Sequence, residues 1–219
     1  MIKNYIFDFG KVIVHFDTEY MVKRYVNNTD DARILGDVIF DRLYWDKLDA
    51  GTISDEEVIA ESKKRLPERL HCLVEQIYYD WILNIPEIEG MTDLVKRIKR
   101  EKGAPVYLLS NISTYFANHT DRVPSIALFD RCFFSAVCGM TKPSKEIFEY
   151  VCRECGILPS ETLFIDDSPK NIEGARAAGL HTYLFDGNAQ KLEAFIFSTT
   201  SPVGGAGARA GLEASPFTP

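Results

Sequence analysis

Histidine is scarce in this chain, with four in 219 residues, and cysteine occurs five times. The cysteines are Cys72, Cys132, Cys138, Cys152 and Cys155, an odd number. Cys152 and Cys155 form a C-x-x-C, but no second such pair and no neighbouring His completes a set of soft metal ligands. The pair reads as two positions on the core-facing stripe of a helix. No apolar run approaches the ~18 residues of a membrane helix. The opening "MIKNYIFDFG" lacks the apolar segment and small-residue cleavage site of an export signal. Together these absences predict a cytoplasmic protein with reduced thiols and no membrane partner. A basic excess is also missing: 25 Lys and Arg face 32 Asp and Glu, the net charge is -7 and the pI is near 5.2. Such a surface repels phosphate backbones and argues against a nucleic-acid partner.

What is present suits a soluble globular core. The composition is 46% hydrophobic, ordinary for a globular chain of this length. Short apolar runs lie at "NYIFDF" (4–9), "PVYLLS" (105–110), "TLFIDD" (162–167) and "HTYLF" (181–185), with "RCFFSAVCG" (131–139) as a fifth. Continuous rather than alternating apolar character fits parallel strands covered on both faces. Helix-like segments separate the later runs, at Met91 to Lys102, Ser144 to Cys155 and Pro169 to Ala178. This alternation predicts a doubly wound α/β sheet.

The interval from Asp17 to Glu89 has no clear strand. It reads as amphipathic helices: "TEYMVKRYV", "DARILGDVIFDRLYWDKL", "SDEEVIAESKKRL" and "PERLHCLVEQIYYDWIL". Ser54 with Glu57 three places on is a capping box. A βαβ crossover needs only about a dozen residues, so the excess predicts an inserted helical cap. The expected division is a core of 1–16 and 90–197, a cap of 17–89, and a Gly-, Ala-, Ser- and Pro-rich flexible tail of 198–219.

In an open α/β sheet, ligands sit outside the carboxyl ends of the strands. The first run ends at Asp8, the second at Ser110 and Asn111, the fourth at Asp166 and Asp167. Three carboxylates gathered at one edge would repel unless a cation sat among them. Hard oxygen donors with few His or Cys point to Mg²⁺. Taken singly, any of them could be a strand-end turn or a cap; Asp167 before "SPKNIEGA" could be only an N-cap.

The stretches "FDFGKVIV", "LLSN", "MTKPSKEIF" and "LFIDDSPKNIEGARAAG" resemble the four ordered motifs of the haloacid dehalogenase-like (HAD) hydrolases, from Tyr5 to about Phe185. The most similar branch has Asp-Leu-Gly-Asn-Val as its first motif and includes phosphatases of glucose-1-phosphate. The resemblance implies a Rossmann-like core with a helical cap, and a phosphatase of a small phosphorylated metabolite, plausibly a sugar phosphate. It implies Asp8 as the nucleophile, forming an aspartyl-phosphate. It implies Mg²⁺ held by Asp8, the Gly10 carbonyl and Asp167, with Asp166 close by. Ser110 and the Asn111 N–H would bind phosphoryl oxygens, and Lys142 would bring positive charge, with Lys145 as its rival. "YWDKLDAGTIS" (44–54) resembles the loop that dips from the cap into the site, making Trp45, Asp46, Lys47 and Gly51 candidates for substrate contact. Trp45 could equally pack between cap helices.

This sequence departs from the family pattern at Gly10. Most phosphatases of the family carry a second Asp there, which protonates the leaving group. General acid catalysis is worth about 10²–10⁴-fold, so its absence matters. A good leaving group, or a group from the flap such as His15 or Asp17, would compensate. Lys11 stands where the branch usually has Asn, and Asn171 where many members have Asp. Two other readings stay open: a binder of phosphometabolites or proteins without turnover, and a 2-haloacid dehalogenase, which needs no metal. The sequence leaves monomer and homodimer both possible.

Overall fold

A computed structural model describes residues 1–83 and 85–198. Five parallel strands form one sheet: β1 Asn4–Phe7, β2 Val106–Ser110, β3 Arg131–Phe134, β4 Thr162–Asp166 and β5 His181–Leu184. Their order is β3-β2-β1-β4-β5, so the first strand is central. Phe7 pairs with Leu108 on one side and Ile165 on the other, which brings the ends of β1, β2 and β4 level. Every residue of β1, β2 and β4 is buried, as continuous apolar runs require.

Alternate strand residues face two different layers. Ile6, Leu109 and Phe164 pack with Ile147, Phe148, Val151 and Cys152. The latter four are the apolar stripe of a helix at Lys145–Cys155, so the C-x-x-C lies on a packed helix face. Tyr5, Phe7, Leu108 and Ile165 belong to a larger cluster on the opposite face. That cluster continues without a break into Trp45, Val58, Tyr78 and Trp81.

Five helices fill the stretch from Thr18 to Asp80: α1 Thr18–Lys23, α2 Thr29–Ile39, α3 Arg42–Asp49, α4 Asp55–Arg65 and α5 His71–Asp80. The sequence suggests one helix through "DARILGDVIFDRLYWDKL", but two form. Asp41 breaks it, because its carboxylate accepts from the Leu43 N–H (2.9 Å) and caps α3. The capping box is present in α4: Ser54 Oγ accepts from Glu57 N (3.2 Å) and Glu57 Oε2 accepts from Ser54 N (2.9 Å).

The remaining helices are α6 Met91–Arg97, α7 Thr114–Asn118, α8 Ser135–Cys138, α9 Lys145–Cys155, α10 Pro169–Ala177 and α11 Ala189–Ser198. α6 runs on through a wider π-helical turn to Lys102. The fifth apolar run is strand only to Phe134; Ser135 to Cys138 turn into the short α8. No helix among the described residues is long and apolar enough to cross a membrane. The expected flexible tail lies, from residue 199, outside the described residues.

Ser54→Ala removes half of the capping box and should lower stability by about 1 kcal/mol. Urea unfolding of the variant checks this, and an unchanged midpoint contradicts it.

Candidate active site

The sheet fixes the positions of the charged groups. Asp8 follows β1 directly, and its N–H donates to the Ile165 carbonyl of β4 (2.9 Å). Ser110 and Asp166 are the last residues of β2 and β4 on either side. Carboxylate oxygens of Asp8, Asp166 and Asp167 lie within 4.8 Å of one another. All three were singled out in the sequence, and the register of the strands brings them together.

Lys142 sits among them with its side chain 1% exposed. Its ammonium is 2.8 Å from Asp8 Oδ1 and 2.7 Å from Asp166 Oδ2. Burial alone would lower the lysine's pKa, but Asp8 and Asp166 outweigh it and leave the pKa raised. Lys142 is therefore a permanent cation at neutral pH. Lys145 points elsewhere: it is exposed on α9 and pairs with Glu149 at 2.7 Å.

The carboxylates divide the work unequally. Asp166 is fully buried and both its oxygens are engaged. It accepts from Lys142 Nζ, from Ser168 N (2.8 Å) and from Asn171 Nδ2 (3.0 and 3.1 Å). Asn171 thus does the work of a donor where an Asp could not. Asp167 is held by no other side chain among the described residues, and Ser168, not Asp167, stands at the N-cap of α10. Burial pushes the Asp167 carboxyl up, with the Asp166 charge adding to the push and Lys11 and Lys142 opposing it. Burial likewise pushes Asp8 up, against the pull of Lys142. Burial disfavours the charged form of both carboxylates, and a divalent cation between these hard oxygens would offset that cost. Asp8 and Asp167 fit that donor set best, because Asp166 is already committed to Lys142 and Asn171.

The first motif's loop turns back after Asp8. Lys11 has a positive φ of 60°, a region where Asn is favoured over most residues. A Cβ at Gly10 would have 3.9 Å to its nearest neighbour, Phe16 Cβ. A side chain is thus not excluded there by space. His15 is exposed, and Asp17 spends its carboxylate as the N-cap of α1, accepting from Tyr20 N at 3.0 Å.

Three supports of the site are absent from the sequence reading. The Asn111 side chain grips the backbone of Lys142 at both ends: Nδ2 donates to the Lys142 carbonyl and Oδ1 accepts from its N–H, each at 2.8 Å. Only the Asn111 backbone was anticipated. Ser135 Oγ, fully buried, donates to the Asp49 carbonyl (2.5 Å) and accepts from Ile112 N (2.9 Å). It ties the end of α3 to the loop that follows Ser110. Gly174 of α10 lies so close to the Lys142–Pro143 loop that a Cβ would stand 2.1 Å from the Pro143 carbonyl oxygen. Its position inside "NIEGARAAG" was the signal available, a glycine in mid-helix that needs a packing reason.

The cap candidates fare differently. Trp45 is 3% exposed and lies among Phe16, Phe40, Tyr78 and Trp81, with ring centroids 5.1 to 6.4 Å away. Its indole N–H donates to the Ile39 carbonyl at 2.6 Å. Its ring and its N–H are both used inside the cap, the packing alternative that the sequence left open. Asp46 pairs with Arg42, and Lys47 lies over the Tyr44 ring, both on the exposed side of α3. Gly51 adopts φ +70, and a Cβ there would stand 3.0 Å from the Ala136 carbonyl oxygen. The cap loop is therefore seated directly on α8.

Comparison with known proteins points the same way. The profile of the haloacid dehalogenase-like hydrolases matches residues 2–179. A D-ribitol-5-phosphate phosphatase of Bacteroides thetaiotaomicron is 28% identical over 193 residues, 84% of this chain and 91% of that protein. A sesquiterpene phosphatase of Aspergillus oryzae is 35% identical over 91 residues, 41% of this chain and 46% of that one. Among solved structures, a HAD family enzyme of Bacteroides thetaiotaomicron in complex with magnesium is 26% identical, with a TM-score of 0.61, covering 83% of this chain and 92% of that one. L-2-haloacid dehalogenase from Xanthobacter autotrophicus shares the fold at a TM-score of 0.62 and 15% identity, over 91% of this chain and 84% of that one.

Gly174→Ala should push the Lys142–Pro143 loop away from α10 and cost about 1–3 kcal/mol, the usual range for overpacking. Thermal unfolding measures it; a variant as stable as the parent would contradict the close approach.

Proposed function

The chain belongs to the haloacid dehalogenase-like hydrolases, and from that premise we propose that it is a Mg²⁺-dependent phosphatase of a small phosphorylated metabolite, with a sugar or alditol phosphate as the substrate class. The observation that carries this reading is the buried Lys142 between Asp8 and Asp166, beside Asp167. A lysine so placed meets the negative charge of a transferred phosphoryl group. The phosphatase relatives from Bacteroides and Aspergillus support a phosphorylated metabolite as substrate, and the one from Bacteroides an alditol phosphate.

Asp8 is the nucleophile in this reading. Its carboxylate bonds to phosphorus while the bond from phosphorus to the leaving oxygen breaks, giving an aspartyl-phosphate. Water then attacks that phosphorus and frees Asp8. Ser110 and the Asn111 N–H would receive phosphoryl oxygens. Asp8, the Gly10 carbonyl and Asp167 would hold Mg²⁺, which shields the phosphate's charge from the attacking carboxylate. Asp166 and Asn111 keep Lys142 in place, one by charge and one by its backbone.

The dehalogenase reading leaves Asp167 without a task, since that chemistry uses no metal. Binding without turnover leaves unexplained why Asp8, which follows the central strand directly, faces a fixed cation.

The test is phosphate release from a panel of alditol and sugar phosphates, ribitol-5-phosphate included, with and without Mg²⁺. Release should require Mg²⁺ and fall to background in Asp8→Asn. Chloride release from haloacids without metal, or no product from any substrate, would overturn the proposal.

A further inference from the structure

Gly10 offers the leaving group no side-chain acid. The groups of the flap do not fill the gap: Asp17 is a helix cap and His15 is exposed. One carboxylate of the cap is in a different position.

Asp49 ends α3 and is 4% exposed. Its backbone carbonyl is fixed by Ser135 Oγ, which is itself bonded to Ile112 N, two residues beyond Ser110. Two residues on, Gly51 rests on the Ala136 carbonyl. The end of α3 is thus pinned to the loops that follow β2 and β3, at the edge of the sheet where Asp8 and Lys142 stand. Within the carboxylate, Oδ2 is 3.9 Å from Arg42 Nη1, a loose contact with a largely exposed side chain. Oδ1 is buried and has no hydrogen-bond partner among the described residues. Buried polar atoms are nearly always partnered, and an unpaired buried carboxylate is costly. A buried carboxylate oxygen with no protein partner is free to carry a proton.

We propose that Asp49 is the general acid and base of the reaction, supplied from the cap in place of the side chain missing at Gly10. The inference rests on the phosphatase reading above. In the first half-reaction the Asp49 O–H proton passes to the leaving oxygen as its bond to phosphorus breaks. In the second, the resulting Asp49 carboxylate takes a proton from the water that attacks the aspartyl-phosphate. That bond then breaks, inorganic phosphate leaves, and both aspartates return to their starting states.

The surroundings keep the proton available. Burial pushes the Asp49 carboxyl up to about 7. Arg42 opposes this from its own helix, while Asp46 adds to it; from the core, Asp8 adds and Lys142 opposes. Tyr78 of α5 also faces it, its phenol raised by burial, by Asp55 and, to a small extent, by Asp49. A carboxylic acid with a pKa near neutrality can both give and take a proton at working pH. Asp46, four residues from Arg42 on the outer side of the same helix, has no such burial.

The experiment compares Asp49→Asn with the parent on two substrates, ribitol-5-phosphate and dinitrophenyl phosphate, in the full chain with Mg²⁺. The alditol leaving oxygen needs a proton; dinitrophenolate does not. Asp49→Asn should lose about 10²–10⁴-fold in kcat/KM on ribitol-5-phosphate and keep the burst of dinitrophenolate. Gly10→Asp added to Asp49→Asn, where a Cβ makes only an ordinary contact with Phe16, should restore part of the loss. An equal loss on both substrates, with no recovery from Gly10→Asp, would show a structural role and overturn the inference. So would a variant as active as the parent on ribitol-5-phosphate. If the parent hydrolyses neither substrate, and Asp8→Asn forms no burst difference, the phosphatase reading itself fails and takes the inference with it.

Discussion

The ammonium of Lys142, buried between Asp8 and Asp166, is the interaction on which the rest of the site depends. Three carboxylate groups meet at one sheet edge within 4.8 Å. Without a cation their mutual repulsion would be severe in so dry a setting. Lys142 answers two of them directly, at 2.8 and 2.7 Å. The surrounding structure is then explained by the need to hold that lysine still. Asn111 grips its backbone, Asn171 and Ser168 N fill the remaining valences of Asp166, and Gly174 lets α10 press against the loop that carries it. What remains is Asp8, paired with the cation on one oxygen, and Asp167, held by no other side chain among the described residues.

The cap is continuous with this arrangement. One apolar cluster runs from the β1 side chains through Phe16 and Phe116 to Trp45 and Trp81. A shared core of this kind holds α3 in a fixed relation to the sheet, because packed interiors resist small displacements. Ser135 and Gly51 add two polar and steric locks at the same place. These contacts fix the end of α3, where Asp49 stands, against the loops that follow β2 and β3.

Much of the site was legible in the sequence, and for a physical reason. Buried parallel strands read as continuous apolar runs, and a charged residue that ends such a run must stand at the sheet's edge. Asp8, Ser110, Asp166 and Asp167 stand out that way, and Lys142 through the resemblance of "MTKPSKEIF" to a family motif. The rest depends on contacts between distant segments. Nothing local in "LLSN" says that the Asn111 amide will meet a backbone 31 residues away. Nothing in "YWDKLDAG" distinguishes a Trp turned inward from one turned to a ligand, and Trp45 is turned inward, its N–H claimed by Ile39. Asp49, in the same stretch, looks like one more polar helix residue until its burial is known. The single long helix expected across Asp41 is a different kind of miss: the periodicity continued, but a local side-chain bond stopped the chain.

The central claim is that Asp8 becomes covalently phosphorylated. Acid quenching during turnover of ribitol-5-phosphate with Mg²⁺, followed by mass mapping of the digested protein, measures this directly. The account requires a phosphoryl group on Asp8, absent from Asp8→Asn and accumulating in Asp49→Asn with an activated aryl phosphate. Turnover with no phosphorylated Asp8 in the quenched protein, or a phosphoryl group found on another residue, would contradict it.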